Sequence, residues 1–251
     1  MIDILLSGAN GRMGQVLQTM IAQQSTMQVV AGVDREAFEA DFPTYQSIAD
    51  CQVAVDVIID FSHYTAVPAV LDYAVEKNVP VVIATTGLTD EVKNQLFAAS
   101  EKTAVFFSAN MSLGINLLAK AIREITPVLE DEFNIEIVEK HHNQKKDSPS
   151  GTALLLADAV NDAVSEKKTY IYGRHGNDLE NPLSELGIHA VRGGTIPGEH
   201  TVIYAGPDEV IELNHLALSR NIFASGAVKA AKYISTKNTG LYDMEKLIDE
   251  K

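Results

Sequence analysis

An alternation between short Val/Ile-rich runs and helix-length segments fills the first 110 residues, and it constrains the fold more than any other feature. The runs are IDILLS (2–7), QVVAGV (28–33), VAVDVIIDF (53–61), VPVVIATTG (79–87) and TAVFFS (103–108). Between them lie segments of helical spacing at about 11–24, 65–78 and 89–101. Pro68 falls near the first turn of the second, where a missing N–H is tolerated. Strands this uniformly apolar leave no face for water, so they predict a parallel sheet covered by helices on both sides.

The first strand runs into SGANGRMGQ (7–15), whose Gly8, Gly11 and Gly14 stand between a strand end and a helix start. Gly8 suits a tight turn, Gly11 lets the backbone approach a pyrophosphate, and Gly14 lets the helix pack closely on the sheet. The helix N-terminus adds N–H groups and partial positive charge for phosphates. Asp34 follows the second strand, 20 positions after Gly14, where an acidic side chain can accept hydrogen bonds from a ribose 2′-OH. Arg35 beside it can meet a 2′-phosphate instead. The pair predicts a Rossmann-type dinucleotide site that takes both NADH and NADPH. A plain structural turn and an exposed surface arginine are the simpler alternatives.

After Asn110 the pattern changes. Residues 112–131 are helical in spacing, FNIEIVEK (133–140) alternates like a strand with one wet face, and a helix is predicted over about 149–164. GIHAVRGG, HTVIYAG and EVIELNHLAL then follow as strands joined by Gly/Pro turns, the mark of a mixed or antiparallel sheet in a second α+β domain. A last helix over 222–235 returns to the style of the first segment. The expected organisation is a discontinuous dinucleotide-binding domain, 1–111 with 220–251, around a domain at 112–219 for substrate and oligomerisation.

A formal net charge of −14 argues against nucleic acid as a partner, because phosphate binding needs a basic face. No run approaches the ~20 apolar residues of a membrane span, and the apolar start is too short for a signal peptide. The one cysteine, Cys51, cannot form an internal disulfide, which fits a cytoplasmic setting.

Against that acidity, HHNQKKDSPSGT (141–152) gathers imidazole and ammonium groups in one short loop. Ser148 suits a helix N-cap and Pro149 the first helical position. Ser150, Gly151 and Thr152 would then offer N–H groups and a hydroxyl to an anion of carboxylate size, with Lys145 and His142 as opposing charge. His141, with an unperturbed pKa near ~6.5, can give or take a proton at neutral pH. A zinc site would need Glu139 and His141 on one face plus a distant ligand, so no metal is expected. A capped helix after a polar loop explains the serine and proline but not the crowded cations; Lys146 has no assigned role.

GANGRMG, VIIDFS, ATTGL, SANMSLGINLL, EKHHNQKKDSPSGTAL, RGGTIPGEH and GLYDMEKLI fall in an order that resembles the 4-hydroxy-tetrahydrodipicolinate reductases across essentially the whole chain. The histidine loop is the most specific part. The resemblance implies NAD(P)H-dependent reduction in the diaminopimelate route to lysine, with hydride passing to ring C4 and the hydroxyl leaving as water. By position, His141 matches the catalytic histidine and Lys145 the proton-donating lysine, while His142, Gly151 and Thr152 match contacts to a substrate carboxylate. Gly8, Ala9, Asn10, Gly11, Arg12, Met13, Asp34, Arg35, Ala84, Thr85, Thr86, Ser108, Ala109, Asn110 and Met111 match cofactor contacts. The family implies a small dicarboxylate substrate and a cytoplasmic homotetramer built through the sheet of the second domain. Ala84 stands where many members have glycine, and Tyr64 where proline is common.

Two other classes compete. A non-catalytic nucleotide-sensing regulator would share the glycine loop but not need His141 or Lys145. A dehydrogenase acting on an amino-acid semialdehyde would need a reactive cysteine, whereas Cys51 precedes a buried strand and is better placed for packing.

Overall fold

The computed structural model describes residues 1–177 and 182–250. The chain divides into two compact units, Met1–Ser112 with Asn221–Lys251, and Leu113–Arg220. Its first pass supplies β1 (Ile2–Ser7), α1 (Arg12–Ala22), β2 (Met27–Val33), β3 (Thr44–Tyr45), β4 (Val57–Asp60), α2 (Val67–Lys77), β5 (Val81–Ile83), α3 (Asp90–Ser100) and β6 (Ala104–Phe107). The second unit holds α4 (Leu113–Leu129), β7 (Asn134–His141), α5 (Gly151–Asn161), β8 (Thr169–Tyr172), β9 (Glu185–Arg192), β10 (Glu199–Ala205) and β11 (Val210–Leu216). The chain returns to the first unit as α6 (Asn221–Ile234), β12 (Gly240–Tyr242) and α7 (Met244–Asp249).

In the first unit the described strands form one parallel sheet in the order β12-β6-β5-β4-β1-β2-β3. The order reverses direction at β1, so the crevice beyond its C-terminal end is a topological switch point, the usual ligand position in such sheets. Register keeps the strand ends level there: Ser7 pairs with Asp60, Asp60 with Ile83, and Ile83 with Phe107. Leu5, Ile58, Val81, Ile83 and Val105 face α2 and α3, packing with Leu71, Ala74, Leu96 and Ala99. Their neighbours Ile4, Leu6, Ile59, Val82 and Phe106 are equally buried and point to the other side, where α6 lies against β4, β5 and β6.

Local signals explain most boundaries. Thr89 caps α3 by accepting from the Val92 N–H, and Asp243 caps α7 by accepting from the Lys246 N–H. Pro68 sits in the first turn of α2, which ends at Asn78 in the left-handed region (φ 53°). The two-residue β3 and the three-residue β12 carry too few residues for a period-two signal, and the four residues of β8 have no buried face, so sequence reasoning did not anticipate them.

The second unit has a mixed sheet in the order β11-β10-β7-β9-β8. β10 runs antiparallel to β7 and β11, while β7–β9 and β8–β9 are parallel. Helices α4 and α5 cover one face, with Ile115, Ile122, Leu156 and Val160 packed on Ile135, Ile137, Ile188, Val202 and Tyr204. β7 alternates strictly: Ile135, Ile137, Glu139 and His141 are buried on the helix side, and the residues between them are partly exposed. The last two of that buried row are polar.

Candidate active site

In the first unit the glycine loop leads the list. Gly8 has φ +79°, and a Cβ there would stand 2.5 Å from the Phe61 carbonyl oxygen, so only glycine fits. A Cβ at Gly14 would stand 2.2 Å from the Gly8 carbonyl oxygen. Helix and loop can approach this closely only without a side chain. Gly11 is the N-cap of α1 and supplies no side-chain acceptor, leaving the helix start for another hydrogen-bonding group. Asp34, just past β2, accepts from the Asn10 N–H at 3.0 Å and so ties the loop to the second strand.

Gly8, Gly11, Arg12, Asp34 and Arg35 line a cavity of about 750 Å³, together with Gln46, Ser47, Ile48, Phe61, Ser62, His63 and Thr65. That volume lies within the ordinary range for a small-molecule site. The guanidinium of Arg35 is largely exposed, with Glu36 at 3.6 Å. Ala9 and Met13 lie outside that lining, as do Ala84, Thr85 and Thr86 after β5 and Ser108, Ala109, Asn110 and Met111 after β6. Strand register brings the β5 and β6 ends level with the glycine turn. Ala84 and Met111 are buried, and Thr85 donates to Asp60 Oδ2 at 2.6 Å. Asp60 is fully buried: burial pushes its carboxyl up, against hydrogen bonds from Ser62, Thr85 and Ser7.

The second unit builds its cluster at the end of β7. His141 Nδ1 lies 2.6 Å from Glu139 Oε2. Arg192, at the end of β9, grips the same carboxylate with two hydrogen bonds of 2.7 Å, and the Ser150 N–H adds a third contact at 3.0 Å. Burial pushes the Glu139 carboxyl up, but Arg192, His141 and Ser150 together hold it below the usual carboxylate range. His141 is lowered, first by burial and then by Lys145 and Arg192, with Glu139 pulling the other way. His200, on β10, packs edge-on against His141 with ring centroids 5.0 Å apart, and its Nε2 meets Ser150 Oγ at 2.8 Å. Burial pushes His200 down to about 4.

The predicted helix start needs correction. Ser150, not Ser148, is the N-cap of α5, its hydroxyl accepting from the Ala153 N–H at 3.1 Å. Pro149 therefore precedes the helix, and the Ser150 N–H is engaged by Glu139 rather than offered to a ligand. Glu139 decides the matter, because a buried carboxylate beneath the loop takes the first available N–H. Gly151 and Thr152 are the first two helical residues. The Asp147 carboxylate is hydrogen-bonded by Lys145 Nζ at 2.9 Å and by the Gly151 N–H, which hold it below its ordinary range despite partial burial. These donors already grip a carboxylate. His142 is partly exposed, and Lys146 is exposed.

Sequence reasoning brought His141, Lys145, Gly151 and Thr152 to one loop and helix start, where the structure also has them. It did not foresee Arg192, His200 or Gly198 around His141. Glu139 shares a strand face with His141, a signal open to period-two reading, but its partner is 53 residues away. Glu139 is committed to Arg192, Ser150 and His141, and no group of three or more His, Cys, Asp or Glu among the described residues is arranged to hold a metal ion.

Comparison with known proteins bears on the whole chain. Residues 2–111 match the family model described as dihydrodipicolinate reductase, N-terminus, and residues 114–248 the one described as dihydrodipicolinate reductase, C-terminus. The chain is 50% identical to a 4-hydroxy-tetrahydrodipicolinate reductase of Caldanaerobacter subterraneus subsp. tengcongensis, over 99% of this chain and 98% of the relative. It is 44% identical to one of Clostridium novyi over the full length of both. A solved dipicolinate-bound dihydrodipicolinate reductase from Paenisporosarcina sp. TG-14 superposes with a TM-score of 0.83 at 25% identity, covering 97% of each chain. With both halves matched end to end and relatives this similar over their whole length, the chain belongs to the dihydrodipicolinate reductase family.

Proposed function

We propose that this chain reduces 4-hydroxy-tetrahydrodipicolinate to tetrahydrodipicolinate, the step named by its relatives in diaminopimelate and lysine biosynthesis. One hydride adds to ring C4, the C4 hydroxyl leaves with one proton as water, and the pyridine nucleotide ends oxidised. When bound, that nucleotide supplies the hydride. The glycine loop, the free start of α1 and Asp34 fit it: Gly8 and Gly14 tolerate no Cβ, and the cavity beside them is large enough.

The observation that carries the proposal lies in the second unit. A buried imidazole stands at the foot of a loop whose ammonium and helix-start N–H already grip a carboxylate. His141 and Lys145 handle protons. Lys145, Gly151, Thr152 and His142 hold a carboxylate of the dicarboxylate substrate in place of Asp147. Burial keeps His141 neutral near neutral pH, so it can accept a proton as well as return one.

NADH and NADPH are both accepted in this reading. Asp34 favours the 2′-hydroxyl, and the exposed Arg35 is able to swing toward a 2′-phosphate. Cys51 is 1% exposed and packed in the core of the first unit, which speaks against a thiol-based semialdehyde dehydrogenase. We also propose a cytoplasmic homotetramer. Val210 and Leu216 are exposed on the face of the mixed sheet opposite its helices, which supports self-association there. No helix among the described residues is long and apolar enough to cross a membrane.

The test is turnover. Purified protein should oxidise NADH or NADPH only when the condensation product of aspartate semialdehyde and pyruvate is supplied. Nucleotide binding without turnover would instead assign a sensing role.

A further inference from the structure

We propose that Glu139 and Arg192 act together as the positioning pair of His141: the carboxylate fixes the ring's tautomer and orientation, and the guanidinium occupies that carboxylate's charge so that the ring is not held protonated. The inference rests on the reading that His141 handles the proton in the reductase reaction.

The geometry is built by two strands. Period-two alternation puts Glu139 and His141 side by side on the buried face of β7, where Glu139 is fully buried and His141 is 8% exposed. β9 lies parallel to β7 with His141 opposite Arg192. The guanidinium therefore reaches back to Glu139 rather than out to solvent, and it also donates to the Asp147 carbonyl at 2.7 Å. Oε2 of Glu139 takes Arg192 Nη1 and His141 Nδ1; Oε1 takes Arg192 Nη2 and the Ser150 N–H. Four donors on two oxygens fill the capacity of a carboxylate. Such a group stays ionised and can only accept, so the proton at Nδ1 belongs to His141 and the lone pair of the neutral ring is at Nε2. Gly198 borders that nitrogen: a Cβ there would stand 3.0 Å from Nε2, so a glycine keeps the reactive edge uncovered.

Charge completes the design. A lone buried carboxylate against Nδ1 would favour imidazolium and tie up the proton. Here Arg192 matches it, charge for charge and in two-pronged geometry. The other ionisable groups facing His141 among the described residues are Lys145 from the loop, itself paired with Asp147, and His200 from β10. Neither replaces Arg192, since neither contacts Glu139.

Two variants should move the titration of His141 in opposite directions. Arg192→Met frees the carboxylate and should raise the pKa of His141 by about one unit or more; Glu139→Gln leaves a bare guanidinium nearby and should lower it by a similar amount. The readout is NMR of histidine-labelled full-length protein without substrate, with His141→Gln assigning the resonance. Ring nitrogen shifts should show one neutral tautomer in the wild type and a mixture in Glu139→Gln. The acidic limb of the kcat profile should follow the same two directions. Arg192→Lys keeps the charge without the fork, so its His141 should titrate near wild type although kcat falls. Arg192→Gln, which also removes the charge, serves if Arg192→Met does not fold, with the same upward shift expected. Shifts within a few tenths of a unit in folded Arg192→Met and Glu139→Gln, or both in one direction, would overturn the pair. Absence of turnover in the wild type would sink the reductase reading while leaving the NMR result intact.

Discussion

Substituting alanine at the three loop glycines should disrupt the nucleotide loop in an order set by geometry. At Gly14 the new Cβ would lie 2.2 Å from the Gly8 carbonyl oxygen and 2.4 Å from that of Ala9. Both obstacles are backbone, so loop and helix must part by roughly an ångström to reach ordinary contact. Overpacking of this kind costs about 1–3 kcal/mol. If the displaced loop no longer presents its N–H groups, that energy appears in binding as a roughly 10- to 100-fold weaker Kd. At Gly8 the Cβ would meet the Phe61 carbonyl oxygen at 2.5 Å with φ at +79°, and the left-handed backbone alone costs about 1–2 kcal/mol. Gly11 has φ −69° and one contact at 3.2 Å, so Gly11→Ala should leave the loop in place, and any loss of binding there comes from the added Cβ standing where the pyrophosphate approaches. Calorimetric titration of each variant with NADH and NADPH measures the order, with a thermal melt to check folding. Gly14→Ala binding within threefold of wild type, or Gly11→Ala melting below Gly14→Ala, would refute the reasoning.

Other outcomes follow from the second unit. His141→Gln should lower kcat by about 100-fold or more, as loss of a general acid–base group does, whereas Thr152→Ala should mainly raise KM; an unchanged KM in steady-state kinetics would remove Thr152 from carboxylate binding. Ser150→Ala deletes the α5 cap and the partner of His200 Nε2 together, and should cost about 2–4 kcal/mol in urea unfolding. Stability should also fall with acid over a defined window. Burial holds His200 down to about 4 when folded, while an unfolded histidine titrates near ~6.5, so the unfolded chain takes up the proton first. The contribution is full above ~6.5 and lost as pH drops toward 4, amounting to about 3 kcal/mol by linkage. Glu139, held below the ordinary carboxylate range, adds its own loss at lower pH, as it is protonated only in still stronger acid. Urea titrations from pH 7 to 4 check the slope, and a flat profile would contradict the buried neutral His200.

Much of the fold is legible because its signals are local. The apolar runs, the positive-φ turn at Gly8 and the alternation of β7 each lie within a few residues, and the structure reproduces them. The short strands β3, β8 and β12 are stabilised by their neighbours rather than by their own pattern, so nothing in their sequence announces them. The choice between Ser148 and Ser150 as cap shows the same limit. Either suits the role locally, and the decision falls to Glu139, which lies 11 positions earlier and takes the Ser150 N–H. The histidine loop reads as a proton-and-anion site from its composition. Its anchor does not, because Arg192 reaches Glu139 only through the pairing of β7 with β9, across 53 positions.

Hydride transfer itself is the most direct test. With NADH deuterated at the transferring position of nicotinamide C4, and the freshly formed condensation product as substrate, mass spectrometry should find a single deuterium in the tetrahydrodipicolinate formed, located at ring C4 by NMR, with release of water. Product without deuterium, deuterium at another carbon, or no oxidation of either nucleotide would contradict the proposed reduction.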